Sequence, residues 1–158
     1  MSDLTKFISE EFIVVPMRAG SADGAILELL KPLENKGIID SSEVCRETIL
    51  KRERRMSTGV GKGVALPHGL SDGLKEVAVV LGLSREGINY RAVDNMLCHI
   101  FILMISPSDK PEKHLKMLSR FSKALDSGSF RSALLAARTP AQAMHVLADL
   151  DDGGEEEI

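Results

Sequence analysis

Two long apolar runs constrain the fold of this chain more than any other feature. Val77 to Leu83 and Cys98 to Ile105 are almost continuously hydrophobic and have the length of strands. A strand with one wet face alternates polar and apolar residues, whereas an uninterrupted run is typical of a strand covered on both faces. Because helical patterns flank these runs, the sequence predicts a single-domain α/β sandwich in which helices flank a small mixed β-sheet.

Helix and turn signals place the remaining elements. Asp23 to Lys36 has a helical apolar pattern that ends before Gly37, and Pro32 inside it predicts a kink or a division into two shorter helices. Ser41 or Ser42 can cap the next helix, which runs to about Arg55. The other predicted elements are strands at Phe12 to Val15 and Val64 to Leu66, and helices at Glu112 to Asp126, Ser129 to Ala137 and Ala141 to Leu150.

Bulk composition favours one globular domain. The chain has 158 residues, of which 44% are hydrophobic and 27% are charged. No apolar run approaches the length of a membrane span, and the N-terminus lacks the layout of a signal peptide, so we expect a cytoplasmic protein. Cys45 and Cys98 match neither a zinc-site spacing nor a disulfide framework, so reduced structural thiols are predicted.

The charges are distributed unevenly along the chain. Six of the 23 acidic residues lie in the last ten positions, which predicts a folded domain at 1–150 and an acidic disordered tail at 151–158. Residues 1–148 keep 17 acidic residues against 20 basic ones. The local basic excess between Arg46 and Lys62 favours an anionic ligand or partner.

A glycine-rich segment, Ser57 to Gly69, carries the clearest chemical signal. Gly59, Gly61 and Gly63 stand at alternate positions, where they free the backbone to turn N–H groups towards a phosphate. Lys62 could add a positive charge there. Pro67 donates no hydrogen bond, so we expect His68 to sit at a strand end rather than within a ladder. The segment therefore predicts a nucleophile beside an anion cradle.

The spacing excludes the common nucleotide-binding loops. Gly63 follows Lys62 where a Walker loop needs Ser or Thr, and Val64 stands where a dinucleotide fingerprint needs its third glycine. The four histidines show no metal-binding spacing, so no metal site is predicted. His99 and His145 are interpreted as structural residues. For His68, residue type and spacing leave two interpretations open: a loop-bonded structural histidine and a functional nucleophile.

The apolar pattern of one predicted helix adds a second histidine to the candidates. Between Glu112 and Asp126, a predicted stripe of Leu115, Leu118, Phe121 and Leu125 faces the core. His114 shares its face with the last three of these residues and should point inward from the first turn.

The segment Ser57 to Gly69, with Arg52-Glu53 before it and His114-Leu115 far behind it, resembles the mannitol/fructose-type (type 2) enzyme IIA domains of the bacterial phosphotransferase system. The resemblance extends from about Leu4 to Leu150 and is greatest to the free-standing nitrogen-regulatory enzyme IIA. It implies that His68 accepts a phosphoryl group from an HPr-like carrier protein, without a metal or cofactor.

The resemblance also implies roles for the surrounding residues. Arg52 and His114 should contact the phosphoryl group beside His68. Weaker phosphate-binding candidates are the hydroxyl groups of Ser57 and Thr58 and the backbone N–H groups of the glycine loop, which contains Gly59, Gly61 and Gly63.

Two functions remain open at this stage. One is a regulatory protein whose phosphorylation state sets which protein it contacts, and the other is a sugar-transport enzyme IIA that passes the group to a separate enzyme IIB. The sequence contains no IIB domain, linker or membrane segment, which modestly favours regulation. Neither function involves nucleic acid, and either reaches a membrane only indirectly, through a permease or transporter. A module that merely binds another anion is a third interpretation.

Overall fold

A computed structural model describes residues 4–154, which form five α-helices and a six-stranded mixed sheet. The strands are β1 (Ile13–Val14), β2 (Gly59–Gly61), β3 (Val64–Ala65), β4 (His68–Ser71), β5 (Ala78–Ile88) and β6 (Cys98–Pro107), and the helices are α1 (Ala22–Asn35), α2 (Ser42–Glu53), α3 (Pro111–Leu125), α4 (Gly128–Ala136) and α5 (Pro140–Gly154). Short 3-10 turns at Leu4–Lys6 and Glu10–Phe12 precede β1. The predicted single-domain α/β sandwich is confirmed.

Strand β6 lies at the centre of the sheet and has three partners. One of its edges pairs antiparallel with β5, and the other pairs in parallel first with β3 and then with β4. Val64 lies opposite Ile100, and His68 lies opposite Met104. Where β3 gives way to β4, the carbonyl of Pro67 accepts a hydrogen bond from the Met104 amide. The sheet order is therefore β1-β5-β6-β3-β2, with β4 joined to β6 beside this path.

Alternate side chains of β6 enter two different cores. The first core contains Ile100, Ile102 and Met104, which pack with residues of α3, α4 and α5. The second contains Phe101, Leu103 and Ile105, which pack with α1 and α2. Because both faces of the strand are covered, its near-continuous hydrophobicity follows directly from its position.

Helix α1 is a single helix despite Pro32. The proline lies in the last turn, only three residues before Asn35, so the backbone bond that it removes is near the helix end. Gly37 then terminates the helix with a φ of 79°, while its N–H bonds to the carbonyl of Glu34. The predicted stop at Gly37 is confirmed. Of the two alternatives predicted for Pro32, a kink or a division into two helices, the division is wrong.

The structure resolves the alternative caps of α2. The hydroxyl of Ser41 accepts a hydrogen bond from the Val44 amide, as an N-cap does. Ser42 is the first helical residue, and its hydroxyl instead donates to Glu34 on α1. The two serines thus share the tasks of capping α2 and joining it to α1.

The buried stripe of α3 differs from the predicted one. His114, Met117, Phe121 and Leu125 are buried. Leu115 is 64% exposed, because it lies about 100° around the helix from His114. The inward position predicted for His114 is confirmed, whereas the predicted burial of Leu115 is wrong.

The helices within residues 4–154 are at most 15 residues long, and none is long and apolar enough to cross a membrane. Helix α5 runs to Gly154, four residues beyond the predicted end at Leu150. The rest of the predicted tail, residues 155–158, lies outside the described residues.

Both cysteines are free and buried, as predicted. Burial raises the pKa of the Cys98 thiol to about 11, with smaller contributions from the charges of Asp94 and Glu53. Such a thiol stays protonated near neutral pH, which agrees with a structural role.

Candidate functional site

His68 is the first residue of β4, where it pairs with Met104 and is half-buried. His68 lies at a strand end, as expected. The prediction that it lies outside the hydrogen-bonded ladder is wrong, because the chain re-enters the sheet directly after Pro67 and His68 pairs with β6. The Nδ1 atom of His68 lies 2.7 Å from the carbonyl oxygen of Leu66. A carbonyl can only accept, so Nδ1 donates to it, and the neutral ring carries its free lone pair on Nε2.

His114 lies beside His68, on the first turn of α3. The two ring centroids are 5.2 Å apart, with an interplanar angle of 49°. His114 is only 7% exposed, and burial lowers its pKa to about 4, with a further contribution from the charge of His68. The Nδ1 atom of His114 lies 2.6 Å from Oγ of Ser106, at the end of β6. The site therefore holds a neutral buried imidazole next to a half-buried one.

Arg52 approaches from the opposite face of the sheet, on α2. A methyl group placed on Gly69 would lie 3.4 Å from Cγ2 of Thr48, so α2 directly covers the strand that begins with His68. Arg52 follows Thr48 by one turn, and its Nη1 donates to the carbonyl of Met56 at 3.1 Å. Within residues 4–154, the guanidinium group of Arg52 forms this hydrogen bond and none with His68 or His114. The structure thus joins His68 to His114, and it places Arg52 on the helix that covers β4, with its guanidinium bonded to Met56.

The glycine loop forms a hairpin that points away from His68. Gly61 pairs with Val64, and Val64 in turn pairs with Ile100, four residues before the partner of His68. At about 3.3 Å per residue, the turn at Lys62 and Gly63 lies roughly 13 Å along the sheet from the level of His68. The structure therefore does not bring Gly61, Lys62 and Gly63 to the histidine, because β3 carries the turn outward before the chain returns at β4.

Internal acceptors already occupy much of this loop. The amide of Thr58 donates to Glu53, the amide of Gly59 donates to Oγ of Ser57, and the amide of Lys62 donates to Asp94. The Ser57 hydroxyl itself donates to the carbonyl of Tyr90. On the outer side, the amide of Val93 donates to the carbonyl of Gly59. The glycines permit a compact hairpin with positive φ at Gly61 and Gly63 rather than an open cradle.

A partly buried network centred on Glu53 ties the hairpin to α2. The Glu53 carboxylate accepts from the Thr58 amide, the Thr58 hydroxyl and the Tyr90 hydroxyl. Burial raises the pKa of Tyr90 above its usual range, and the Glu53 charge adds to the effect. The Tyr90 ring packs edge-on against Phe101, with centroids 5.6 Å apart. Glu53 therefore anchors the end of the helix that carries Arg52.

Sequence reasoning assigned no role to Glu53 or Ser106. Glu53 directly follows Arg52, and Ser106 is the polar residue that ends the long apolar run of β6. The sequence shows both positions, but it does not show their partners. Glu53 bonds to Thr58 and Tyr90, and Ser106 bonds to His114, all of which lie outside the element that carries their partner. Only the fold brings those groups together.

The arrangement can bind and hold a small anionic group. Arg52 can supply further N–H donors to its oxygens, and the neutral imidazole of His114 lies beside the nitrogen, Nε2 of His68, whose lone pair could attack its central atom. Within residues 4–154, no group of three or more His, Cys, Asp or Glu side chains could hold a metal ion. The arginine N–H groups are suited to an oxyanion, whereas the Nε2 lone pair of His68 is a nucleophile and not a donor.

Comparison with known proteins gives consistent matches over nearly the whole chain. Residues 6–150 match the family model described as "Phosphoenolpyruvate-dependent sugar phosphotransferase system, EIIA 2". The fructose-specific EIIA component of Haloferax volcanii is 29% identical over 150 residues, which cover 95% of this chain and 97% of that protein. The nitrogen regulatory protein of Escherichia coli is 31% identical over 132 residues, which cover 82% of this chain and 80% of that protein.

A solved structure agrees with these matches. The nitrogen regulatory protein IIA-Ntr of Neisseria meningitidis superposes with a TM-score of 0.85 at 26% identity, covering 92% of this chain and 99% of that one. Other relatives are larger: the chain spans 21% of the length of the fructose-specific EIIABC component of Bacillus subtilis, to which it is 28% identical.

Proposed function

The chain belongs to the EIIA 2 family of the phosphoenolpyruvate-dependent sugar phosphotransferase system, and from this premise we propose that His68 accepts a phosphoryl group from the phosphohistidine of an HPr-like carrier protein. The observation that carries the proposal is the hydrogen bond between Nδ1 of His68 and the Leu66 carbonyl. It leaves Nε2 as the nucleophile in a half-buried position beside a second histidine.

The proposed transfer forms one bond and breaks one. The Nε2 lone pair of His68 attacks phosphorus, while the bond from phosphorus to the donor's ring nitrogen breaks and returns its electron pair to that nitrogen. His68 keeps the proton on Nδ1, and the Leu66 carbonyl oxygen, 2.7 Å away, stabilises the positive charge that the ring gains. Because the transferring group is metaphosphate-like, positioning and charge supply most of the catalysis, and no metal is required.

The neighbours of His68 have proposed supporting roles. His114 contacts the phosphoryl oxygens through Nε2, since its Nδ1 is occupied by Ser106. Arg52 pairs with the same oxygens through N–H groups other than the one that binds Met56. Ser57 and Thr58 are retained only as secondary candidates because their hydroxyl groups already have partners, and Gly59, Gly61 and Gly63 contribute by shaping the hairpin.

The test is incorporation of labelled phosphate from phosphoenolpyruvate through purified enzyme I and HPr-like carriers. Acid-labile label on the wild type and none on His68→Ala are expected. Arg52→Ala and His114→Ala should fold normally and be labelled more slowly. Wild-type labelling of His68→Ala would overturn the assignment, and absence of label with every carrier would favour simple anion binding.

We propose a regulatory role for the loaded protein, exerted in the cytoplasm through contacts with a target protein. The similarity to the nitrogen regulatory proteins supports this role. Phosphorylation adds roughly two negative charges, which can repel one partner and recruit another. Binding of a target should therefore differ between His68→Ala and the phosphorylated wild type.

The similarity to the fructose-specific EIIA component favours a second candidate, transfer to a separate enzyme IIB that serves a permease. The two functions diverge only after His68 is loaded. Incubation of the phosphorylated protein with a fructose-type or mannitol-type enzyme IIB separates them. Rapid loss of label to enzyme IIB supports transport, whereas retention supports regulation.

A further inference from the structure

We propose that Ser106 fixes the tautomer of His114: the serine hydroxyl donates to Nδ1, so that the proton of the neutral ring is held on Nε2. The consequence for catalysis rests on the proposed function, since the phosphoryl group on His68 is what Nε2–H would meet. Ser106 would thus be a positioning residue that acts through His114.

Two arrangements are compatible with the distance of 2.6 Å between Oγ of Ser106 and Nδ1 of His114. Either the hydroxyl donates to an unprotonated Nδ1, or a protonated Nδ1 donates to the hydroxyl oxygen. In the second arrangement the hydroxyl proton needs another acceptor. The Ser106 side chain is fully buried, and among residues 4–154 its hydroxyl has no hydrogen-bond partner other than His114. A buried hydroxyl proton without an acceptor is unfavourable, so the first arrangement is favoured.

The ring of His114 carries a single proton under ordinary conditions, because burial keeps its pKa low. Assigning Nδ1 as the acceptor therefore leaves that proton on Nε2. The opposite tautomer would present a lone pair to the phosphoryl oxygens, which repel it. Nε2–H instead offers them a hydrogen-bond donor without a net charge on the ring.

Two other histidines provide an internal contrast. The Nδ1 atom of His68 faces the Leu66 carbonyl, and the Nδ1 atom of His99 faces the Ser84 carbonyl at 2.9 Å. Carbonyl oxygens only accept, so both rings should be protonated on Nδ1. A hydroxyl partner can donate, and His114 is the described histidine that has one. This protein should therefore contain both neutral tautomers of histidine. A carbonyl partner at Nδ1 keeps the proton on Nδ1, and a hydroxyl that donates to Nδ1 keeps it on Nε2.

The first experiment measures ring nitrogens by long-range ¹H–¹⁵N NMR on the unphosphorylated full chain, at about pH 8, where histidines are neutral. The expected spectrum shows a protonated Nε2 and an unprotonated, hydrogen-bonded Nδ1 for His114, with the reverse assignment for His68 and His99. Protonation of His114 on Nδ1 would overturn the proposal. No phosphoryl transfer is needed, so this result stands or fails separately from the proposed function.

The second experiment compares two serine variants. Ser106→Ala should move the His114 Nδ1 resonance towards that of a nitrogen without a hydrogen bond, and should slow labelling of His68 roughly tenfold, by analogy with losing an outer partner of a metal-bound histidine. The matched control is Ser84→Ala, another buried strand serine, whose hydroxyl bonds to the Gly87 amide away from the site. It should leave the His114 resonances and the labelling rate unchanged.

The His99 resonances report the fold in each sample, because its partner is the backbone carbonyl at position 84, which every variant keeps. A Ser106→Ala protein with unaltered His114 resonances and wild-type labelling would refute the proposal. If no variant or wild type is labelled, the proposed function fails while the NMR test of the tautomer remains decisive.

Discussion

The burial of His114 predicts a measurable dependence of stability on pH. Its folded-state pKa is about 4, against about 6.5 for an unperturbed histidine. Between these values the unfolded chain binds a proton at this position and the folded protein does not. The stabilising contribution is therefore complete above pH 6.5 and is lost as the pH falls towards 4. Replacing His114 with glutamine should remove this loss.

The magnitude follows from the shift. A difference of about 2.5 pH units at about 1.4 kcal/mol each sets an upper limit of roughly 3.5 kcal/mol. His68 beside it is half-buried, so solvent near the site screens part of this cost. Between about pH 7.5 and about pH 4.5, the free energy of unfolding should fall by about 2 kcal/mol more in the wild type than in His114→Gln.

Urea unfolding at four pH values across this window measures the effect. The slope with respect to urea must stay constant, so that the change reflects stability alone. Acidic residues titrate equally in both proteins and cancel in the comparison. His145→Gln, on the exposed side of α5, serves as the control and should follow the wild type. Parallel pH curves for wild type and His114→Gln would refute the reasoning.

Three further substitutions and one control test the partly buried network around Glu53 and the hairpin. Glu53→Ala removes the acceptor of three hydrogen bonds and should lower the free energy of unfolding by about 3 kcal/mol in urea titration. Tyr90→Phe removes the bond to Glu53 and a long one of 3.4 Å from the Thr58 hydroxyl, and should cost about 1 kcal/mol. Gly59→Ala would place its Cβ 2.8 Å from Cα of Ala92, and should cost about 2 kcal/mol, seen as a lower Tm. Gly20→Ala, with no atom within 4 Å of the added carbon, should leave Tm unchanged. Equal effects of the two glycine variants, or a neutral Glu53→Ala, would contradict the packing described.

Much of the fold could be predicted because it depends on local patterns. The hydrophobicity of Val77 to Leu83 and Cys98 to Ile105 required cover on both faces, and both cores are present. Gly37 ended α1 because a positive φ at a helix end strongly favours glycine. The face of α3 was misjudged by one residue at Leu115, since short amphipathic patterns fit two neighbouring orientations and tertiary packing selects one.

The site could be predicted only in part. His68 and His114 were identified, and the structure places them side by side. The anion cradle was inferred from glycine spacing, but the same spacing serves a tight hairpin, and the register of β3 with β6 carries the turn away from His68. Ser106 and Glu53 could not be assigned because their partners lie on other elements. His114 is on α3, eight residues beyond Ser106, and Tyr90 is 37 residues beyond Glu53. No local pattern encodes such contacts.

The contacts around β2 determine how this side of the molecule can associate. An outermost strand normally offers free backbone groups to which a strand of another protein can add. Here Val93 already occupies the carbonyl of Gly59, and Asp94 occupies the amide of Lys62. Strand addition is therefore blocked at these positions. A protein that binds here must recognise side chains such as the exposed Val60, so that its specificity resides in shape and charge rather than in backbone pairing.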